Sequence, residues 1–330
     1  MKENFPDIYL FNPTCEYAVA NSHPTWQPNF LLQKMEEDLG TLPLFYANQN
    51  DVLLMNNPPT EEYIIHLKKA GITAPSFFRL KDLPKDKAFL MAPKNKLLPW
   101  GWSPAAHRLL IPLKQSCSGE FKSSPVADWR PEYREIYSKR FAADILKKLL
   151  PLIPGDMALP PQLMPEICKS RDEIEILINR WGKLMVKAPW SSSGRGLQKI
   201  TKFPVAPKVL EKLLGIINDQ GYAVIEPFLE KVMDMAFLFK LIKGSVQYIG
   251  ISRFFTDAKG QYQGNFLNGW PRSINHELID FAEAAESILI PLLIKATENS
   301  LLSQYYEGSF GIDTLIFRDE QGGLRINPCL

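Results

Sequence analysis

The stretch Leu184-Met185-Val186-Lys187-Ala188-Pro189-Trp190-Ser191-Ser192-Ser193-Gly194-Arg195-Gly196-Leu197 decides how this chain is read. An apolar run delivers a lysine at its end. A loop of serines and glycines follows, then a second strand-like run at Leu197 to Thr201. Glycines let successive backbone N–H groups converge on an anion, and small side chains let a phosphate approach. Lys187 adds a full positive charge. The common phosphate motifs do not fit. There is no GxxxxGK followed by Ser or Thr, so this is not a Walker A loop. Gly194-Arg195-Gly196 lacks the third glycine of a dinucleotide fingerprint, and a strand pattern follows where that fingerprint needs a helix. A strand–loop–strand cover lies over phosphates in protein kinases too, but no HRD or DFG follows here. Alone, the stretch reads equally as a flexible hairpin with an incidental lysine.

Its surroundings add order. Upstream, Tyr137-Ser138-Lys139-Arg140-Phe141 reads as the basic first turn of an amphipathic helix running from Pro131 to about Leu150. Arg171 to Trp181 is a helix with Ile174, Leu177, Ile178 and Trp181 on one face, and Ala206 to Asn218 is another. Downstream, Val224-Ile225-Glu226-Pro227-Phe228-Leu229 is a strand running into a hinge, and Asp234 precedes an apolar strand. Met235 to Ile242 and Ser245 to Phe255 flank Lys243-Gly244, a hairpin turn. A long helical region spans His276 to Leu302. Asp313 sits in the apolar strand Ser309 to Arg318, and Leu324 to Asn327 is the last strand. A carboxylate in such a strand needs a partner, and a cation is the simplest.

The first third alternates strands and helices: strands at Asp7 to Phe11, Leu42 to Tyr46 and Ala88 to Met91, and helices at Phe30 to Leu39 and Thr60 to Ala70. Thr60 is a plausible N-cap and Gly71 a stop. Such alternation indicates a Rossmann-like parallel sheet. Asn12 and Glu16 follow the first strand, where open α/β sheets bind ligands. Trp100-Gly101-Trp102, Trp270 and His107 read as packing residues. The chain has 330 residues, which suggests about two domains. Lys plus Arg is 38 and Asp plus Glu is 36, a net charge of +2 that excludes a general nucleic-acid binder. Proline numbers 27, about 8% against about 5% typically, so fixed turns are many. The longest apolar stretches, such as Ile288 to Ile294, are too short to span a bilayer. Cys15, Cys117, Cys168 and Cys329 are widely spaced, with no CxxC and no leader-like start; reduced thiols in a cytoplasmic protein without zinc are expected.

In their order, these motifs resemble the ATP-grasp superfamily of carboxylate–amine and carboxylate–thiol ligases, over about Tyr137 to the C-terminus. The resemblance implies a Rossmann-like domain at 1–130, a small lobe with the phosphate loop at 131–228 and a large lobe at 229–330, incomplete at its C-terminus. The fold class is α/β, the two lobes forming an α+β ATP-grasp domain. It implies ATP and Mg²⁺ as cofactors. Lys139 and Lys187 resemble the nucleotide-binding lysines. Ser192, Ser193, Gly194, Arg195 and Gly196 resemble the loop that closes over the phosphates. Glu226, Pro227, Phe228 and Leu229 resemble the adenine-reading hinge, and Asp234 the acid that holds the ribose. Asp313 resembles the first acidic metal ligand. Lys240 and Arg253 are expected to face the transferred phosphoryl group or a substrate carboxylate. The family's second metal acid lies in a Glu-x-Asn strand. If Asn327 is that asparagine, a metal ligand, then Arg325 stands where the glutamate should; otherwise the strand is still heading toward the motif. The implied activity is ATP-driven activation of a small-molecule carboxylate as an acylphosphate for attack by an amine or thiol. An ATP-binding phosphotransferase and a non-catalytic nucleotide-binding module are the alternatives.

Overall fold

A computed structural model describes residues 5–191, 196–201, 204–257, 261–267 and 269–328. The expected phosphate-loop residues Ser192, Ser193, Gly194 and Arg195, and Cys329, lie outside the described residues. The chain divides into two compact units, Met1–Arg134 and Glu135–Leu330.

The first unit runs β1 (Ile8–Leu10), α1 (Cys15–Asn21), α2 (Phe30–Asp38), β2 (Val52–Met55), α3 (Glu61–Lys69), β3 (Ser76–Arg79), α4 (Lys87–Met91), β4 (Leu97–Pro99), α5 (Pro104–Lys114) and α6 (Gly119–Lys122). Its sheet has the order β3-β2-β1-β4, and every pairing is parallel. Thr60 caps α3 by accepting the Tyr63 N–H, and Gly71 stops it at φ +79°. Two expected strands are corrected. Leu42–Phe45 is a 3₁₀ turn with Pro43 in its first turn, and the neighbouring strand is Val52–Met55. Proline removes a ladder donor, so that apolar run suits a turn better than a central strand. Ala88 to Met91 is helical, because Asp86 accepts the Phe89 N–H and caps α4.

The second unit begins with a correction as well. Pro131–Tyr137 is 3₁₀, and the α-helix proper, α7 (Lys139–Leu149), starts only after Ser138, whose hydroxyl accepts the Phe141 N–H. Then follow β5 (Glu166–Cys168), α8 (Arg171–Trp181), β6 (Leu184–Lys187), β7 (Leu197–Ile200), α9 (Pro207–Gln220) and β8 (Ala223–Pro227). These strands form a sheet in the order β5-β8-β6-β7, antiparallel throughout. Ile174 and Leu177 of α8 and Leu213 and Ile217 of α9 close its core.

The remainder runs β9 (Glu230–Ile242), β10 (Ser245–Thr256), β11 (Tyr262–Phe266), α10 (His276–Glu298), α11 (Leu301–Tyr305), β12 (Gly308–Arg318) and β13 (Leu324–Pro328). The five strands order β11-β10-β9-β12-β13. Lys243 at φ +49° and Gly244 at φ +80° make the tight turn between β9 and β10. Met235, Phe237 and Phe239 point with Leu146 and Leu149 of α7 and Ala285, Leu289 and Leu293 of α10 into one core. Side chains alternate along a strand. Asp234, Ala236, Leu238 and Lys240 therefore belong to the opposite face, which the two helices leave uncovered. No described helix is long and apolar enough to cross a membrane.

Candidate functional site

Lys187 ends β6, and its Nζ lies 2.6 Å from Glu226 Oε2 on the neighbouring β8. Both residues are buried, at 7% and 8% exposure. Two strand-end positions expected to act separately are thus one ion pair. Glu226 was expected to contribute as part of a backbone hinge; here its carboxylate holds the lysine. In that hinge the Phe228 N–H donates to Lys183 O at 2.9 Å, and Pro227 has no N–H. Phe228 also carries Lys199 Nζ 3.7 Å above its ring.

The first turn of α7 is tied to the base of the serine–glycine loop. The Lys139 N–H donates to Pro189 O at 3.0 Å, and Lys139 Nζ donates to Ser191 O at 2.6 Å and to Ser191 Oγ at 3.0 Å. The Ala188 N–H meets Gly196 O at 2.9 Å and so closes the loop. A Cβ built on Gly196 would lie 2.2 Å from Ser191 Oγ and 2.3 Å from Ser191 Cβ. Glycine is required there by close approach, not by backbone angle. Ser191, which the sequence offered only as one of several loop serines, is the residue that joins Lys139 to Gly196.

Asp313 is on the uncovered face of the five-stranded sheet, in register with Ala236. The expectation of a buried carboxylate is corrected: the side chain is exposed. Protein nevertheless surrounds it enough to raise its pKa above the usual carboxylate range, while Lys187 and Lys139 pull it down and Asp234 pushes it up. Those influences place Lys139, Lys187, Asp234 and Asp313 in one electrostatic neighbourhood. Leu315 pairs with Asp234 on one side and Asn327 on the other, so both are diagonal neighbours of Asp313 on the same face. Asp234 Oδ2 accepts from Thr256 Oγ1 at 2.7 Å and Lys231 Nζ at 2.6 Å. Asn327 is 2% exposed, and its Oδ1 has no hydrogen-bond partner among the described residues. Leaving such an atom unpaired costs about 1–3 kcal/mol.

The other expected site residues separate from this group. Lys240 shares the face, is exposed, and pairs with Ser309, four residues along β12 from Asp313, which is roughly 13 Å. Arg253 is a correction. It stands opposite Met235, a core residue, and so projects to the helix-covered face. There its guanidinium lies 4.0 Å from the Trp270 ring centroid, with Nε buried and without a hydrogen-bond partner among the described residues. Arg325 is committed elsewhere: its Nε donates to Asp319 Oδ2 and its Nη1 to Gly155 O, both at 2.6 Å.

Mg²⁺ takes oxygen ligands in octahedral array and keeps several waters. Asp313 and the orphaned Asn327 Oδ1 offer hard oxygens on one face, so the residues present fit part of such a site. Among the described residues, no three His, Cys, Asp or Glu side chains converge to cage a metal. A cation held here would complete its shell from water and phosphate.

The first unit has a cavity of about 650 Å³ at the carboxyl ends of β1 and β2, with Asn12, Cys15, Glu36, Asn57 and Ser103 in its walls. Asn12 is a clasp: its Nδ2 donates to Gly101 O at 2.8 Å, and its Oδ1 accepts the Gly101 N–H at 3.3 Å. Glu16 is exposed and does not line the cavity. Glu36 and Glu37, on α2, are the acids that do. His107 is buried between Trp102 and Trp129 and bonded by Lys114 at 2.9 Å, as a packing residue.

No protein-family model matches the chain, and no curated protein matches it. Solved structures do. A biotin carboxylase from Campylobacter jejuni, in a β-γ-ATP complex, aligns over 98% of this chain and 64% of its own, at 13% identity and a TM-score of 0.55. The biotin carboxylase domain of Hydrogenobacter thermophilus 2-oxoglutarate carboxylase, with MgADP, ADP and bicarbonate, aligns over 98% and 64%, at 14% identity and 0.50. An ADP complex of N5-carboxyaminoimidazole synthetase from Staphylococcus aureus aligns over 99% and 70%, at 14% identity and 0.48. The chain thus spans under two thirds of both carboxylases. The parallel sheet of the first unit, followed by the two antiparallel sheets of the second, has the ATP-grasp fold.

Proposed function

We propose that this chain is an ATP-dependent ligase that activates a small-molecule carboxylate as an acylphosphate for attack by an amine or thiol. The observation that carries the reading is the convergence of Lys139, Lys187 and Asp313 from three different elements onto one neighbourhood beside the serine–glycine loop. The adenine nucleotides in the two carboxylase complexes support it. Lys187, with three donors and one held by Glu226, would turn its remaining donors to phosphate oxygens. Lys139 would add its positive charge from the helix start, and Gly196, with Ser192, Ser193, Gly194 and Arg195, would cover them. Leu229 and the hinge carbonyls would face the adenine, and Asp234 the ribose. Asp313 and Asn327 would hold Mg²⁺. Lys240, on the same face, would meet the substrate carboxylate. When bound, ATP–Mg²⁺ supplies the phosphoryl group and the charge that offsets it; the protein's part is positioning and electrostatic stabilisation. The free thiols of Cys15, Cys117 and Cys168 support a reducing, cytoplasmic setting.

The test is ADP release by the protein against carboxylate and amine panels, with products identified by mass spectrometry. ADP together with a condensed product supports the ligase. A phosphorylated product without condensation favours a phosphotransferase. The absence of a three-acid cage among the described residues favours one competing reading, a non-catalytic nucleotide-binding module. Nucleotide binding without ADP release under any substrate pair would replace the ligase with that reading.

A further inference from the structure

The 650 Å³ cavity of the first unit lies at the carboxyl ends of β1 and β2, with α5, the helix after β4, in its wall; the strand order reverses between β1 and β4. Open parallel sheets bind small molecules there. Its charged lining groups are Glu36, Glu37 and Arg108. The two acids are in different states. Glu37 is filled by amides: Gln33 and Asn56 donate to its Oε1 at 3.1 Å each, and Asn57 to its Oε2 at 3.4 Å. Glu36 is held on one oxygen only. Its Oε1 accepts the Thr14 N–H at 3.2 Å and the Thr14 hydroxyl at 2.5 Å, and no described residue bonds its Oε2.

Thr14 is 3% exposed, and its two bonds to Oε1 set which way the free oxygen is presented. Burial and the neighbouring Glu37 make ionisation of Glu36 unfavourable, and among the described residues no cation bonds it in return. A half-buried carboxylate of this kind is stabilised by a cationic partner. Other lining groups of the cavity are small or aromatic, Cys15, Ala18 and Trp26, which suit the carbon frame of an organic ligand rather than the water shell of a metal ion.

We propose that this cavity binds a small organic ligand through its ammonium group, with Glu36 Oε2 as the recognising oxygen. The inference rests on the ligase reading for its meaning: the ligand is the amine substrate, held as its ammonium, and it attacks only after that proton has passed to the carboxylate of Glu36 or to water. It does not rest on that reading for its test.

The experiment is ligand-observed NMR and calorimetry on the full chain without nucleotide. The probes are primary amines of about four to ten heavy atoms, each paired with its isosteric alcohol, plus Mg²⁺ alone. The expected result is that amines bind at least tenfold more tightly than their alcohols, and that Glu36→Gln, which keeps an acceptor for Thr14, abolishes the preference. Equal binding of amine and alcohol by the unmodified protein overturns the proposal whatever the variant does. So does displacement of the amines by millimolar Mg²⁺ through this site, or an unchanged preference in a folded Glu36→Gln protein. Amine selectivity without any ATP binding would leave this inference standing and remove the ligase reading. ATP binding without amine selectivity would do the reverse.

Discussion

Lys187 and Glu226 meet across adjacent antiparallel strands as a diagonal pair: Lys187 is in register with Val224, and Glu226 with Met185. Their 2.6 Å contact is nearly closed to water. Removing one partner leaves the other charged and buried, which costs about 3–5 kcal/mol, whereas removing both costs far less. Lys187→Met is therefore expected to unfold at markedly lower denaturant than the unmodified protein, and Lys187→Met with Glu226→Gln to recover most of the loss. Equilibrium unfolding measures both. Nucleotide affinity should fall in both proteins, because the phosphate-facing charge is absent from each. An affinity that returns with the double substitution would show that Lys187 acts only on the fold.

Gly196→Ala is expected to break the loop base. The new Cβ would lie 2.2 Å from Ser191 Oγ, so Ser191 must move, and Lys139 loses a bond to it. Overpacking of this kind costs about 1–3 kcal/mol. The expected outcome is a modest fall in melting temperature and a larger fall in ATP affinity by calorimetry. Ser191→Gly in the same protein relieves the clash and should restore the melting temperature but not the Lys139 bond to the hydroxyl.

Asp313 has its pKa raised by surrounding protein and by Asp234. An acid whose folded pKa exceeds its unfolded value binds more protons when folded. Its contribution to stability is therefore lost as pH rises from the unfolded value of 3.8 through the raised one. Asp313→Asn is expected to raise the melting temperature of the ligand-free protein at neutral pH. Mg²⁺ with ATP should stabilise the unmodified protein and not the variant. Thermal shift with and without Mg²⁺–ATP checks this; equal Mg²⁺ dependence in both would exclude Asp313 as a ligand.

His107 shows the opposite sign. Burial, then Lys114, lowers its pKa from 6.5 to about 3, so the unfolded chain takes up the proton first. The stability it contributes is present above pH 6.5 and is lost as pH falls from there toward about 3. His107→Gln keeps an acceptor for Lys114 without titrating. Acid unfolding of the variant, followed by tryptophan fluorescence, should begin at lower pH than in the unmodified protein.

The sequence made the second unit legible because its elements carry local signatures. Lys243-Gly244 states a two-residue turn and Met235 to Ile242 an apolar strand within a few residues, whereas the Ser138 cap of α7 lies beyond Pro131, the helix start that the sequence suggests. The short strands of the first unit do not. Val52–Met55 and Leu42–Phe45 are both brief apolar runs, and only the position of Pro43 separates turn from strand. Side-chain pairing was harder still. Nothing near Lys187 says that its partner is Glu226, because strand register decides it. Arg253 shows the same limit: one residue of phase on β10 separates the uncovered face from the helix-covered one. Glu36 carried no motif at all and is found only where the fold brings α2 beside Thr14.

The helix that supplies Glu36 has no buried residue, and its Phe30 and Leu31 are 77% and 74% exposed. Asn12, in another wall of the cavity, is clasped to Gly101 by two hydrogen bonds at the end of β1. One wall thus answers to folding and the other hardly at all. Substitutions along α2 can change what the cavity accepts at little cost to the core, so ligand choice and stability are able to drift independently in evolution. A laboratory search for altered specificity should therefore randomise Gln33, Glu36 and Glu37 first and leave the strand ends alone.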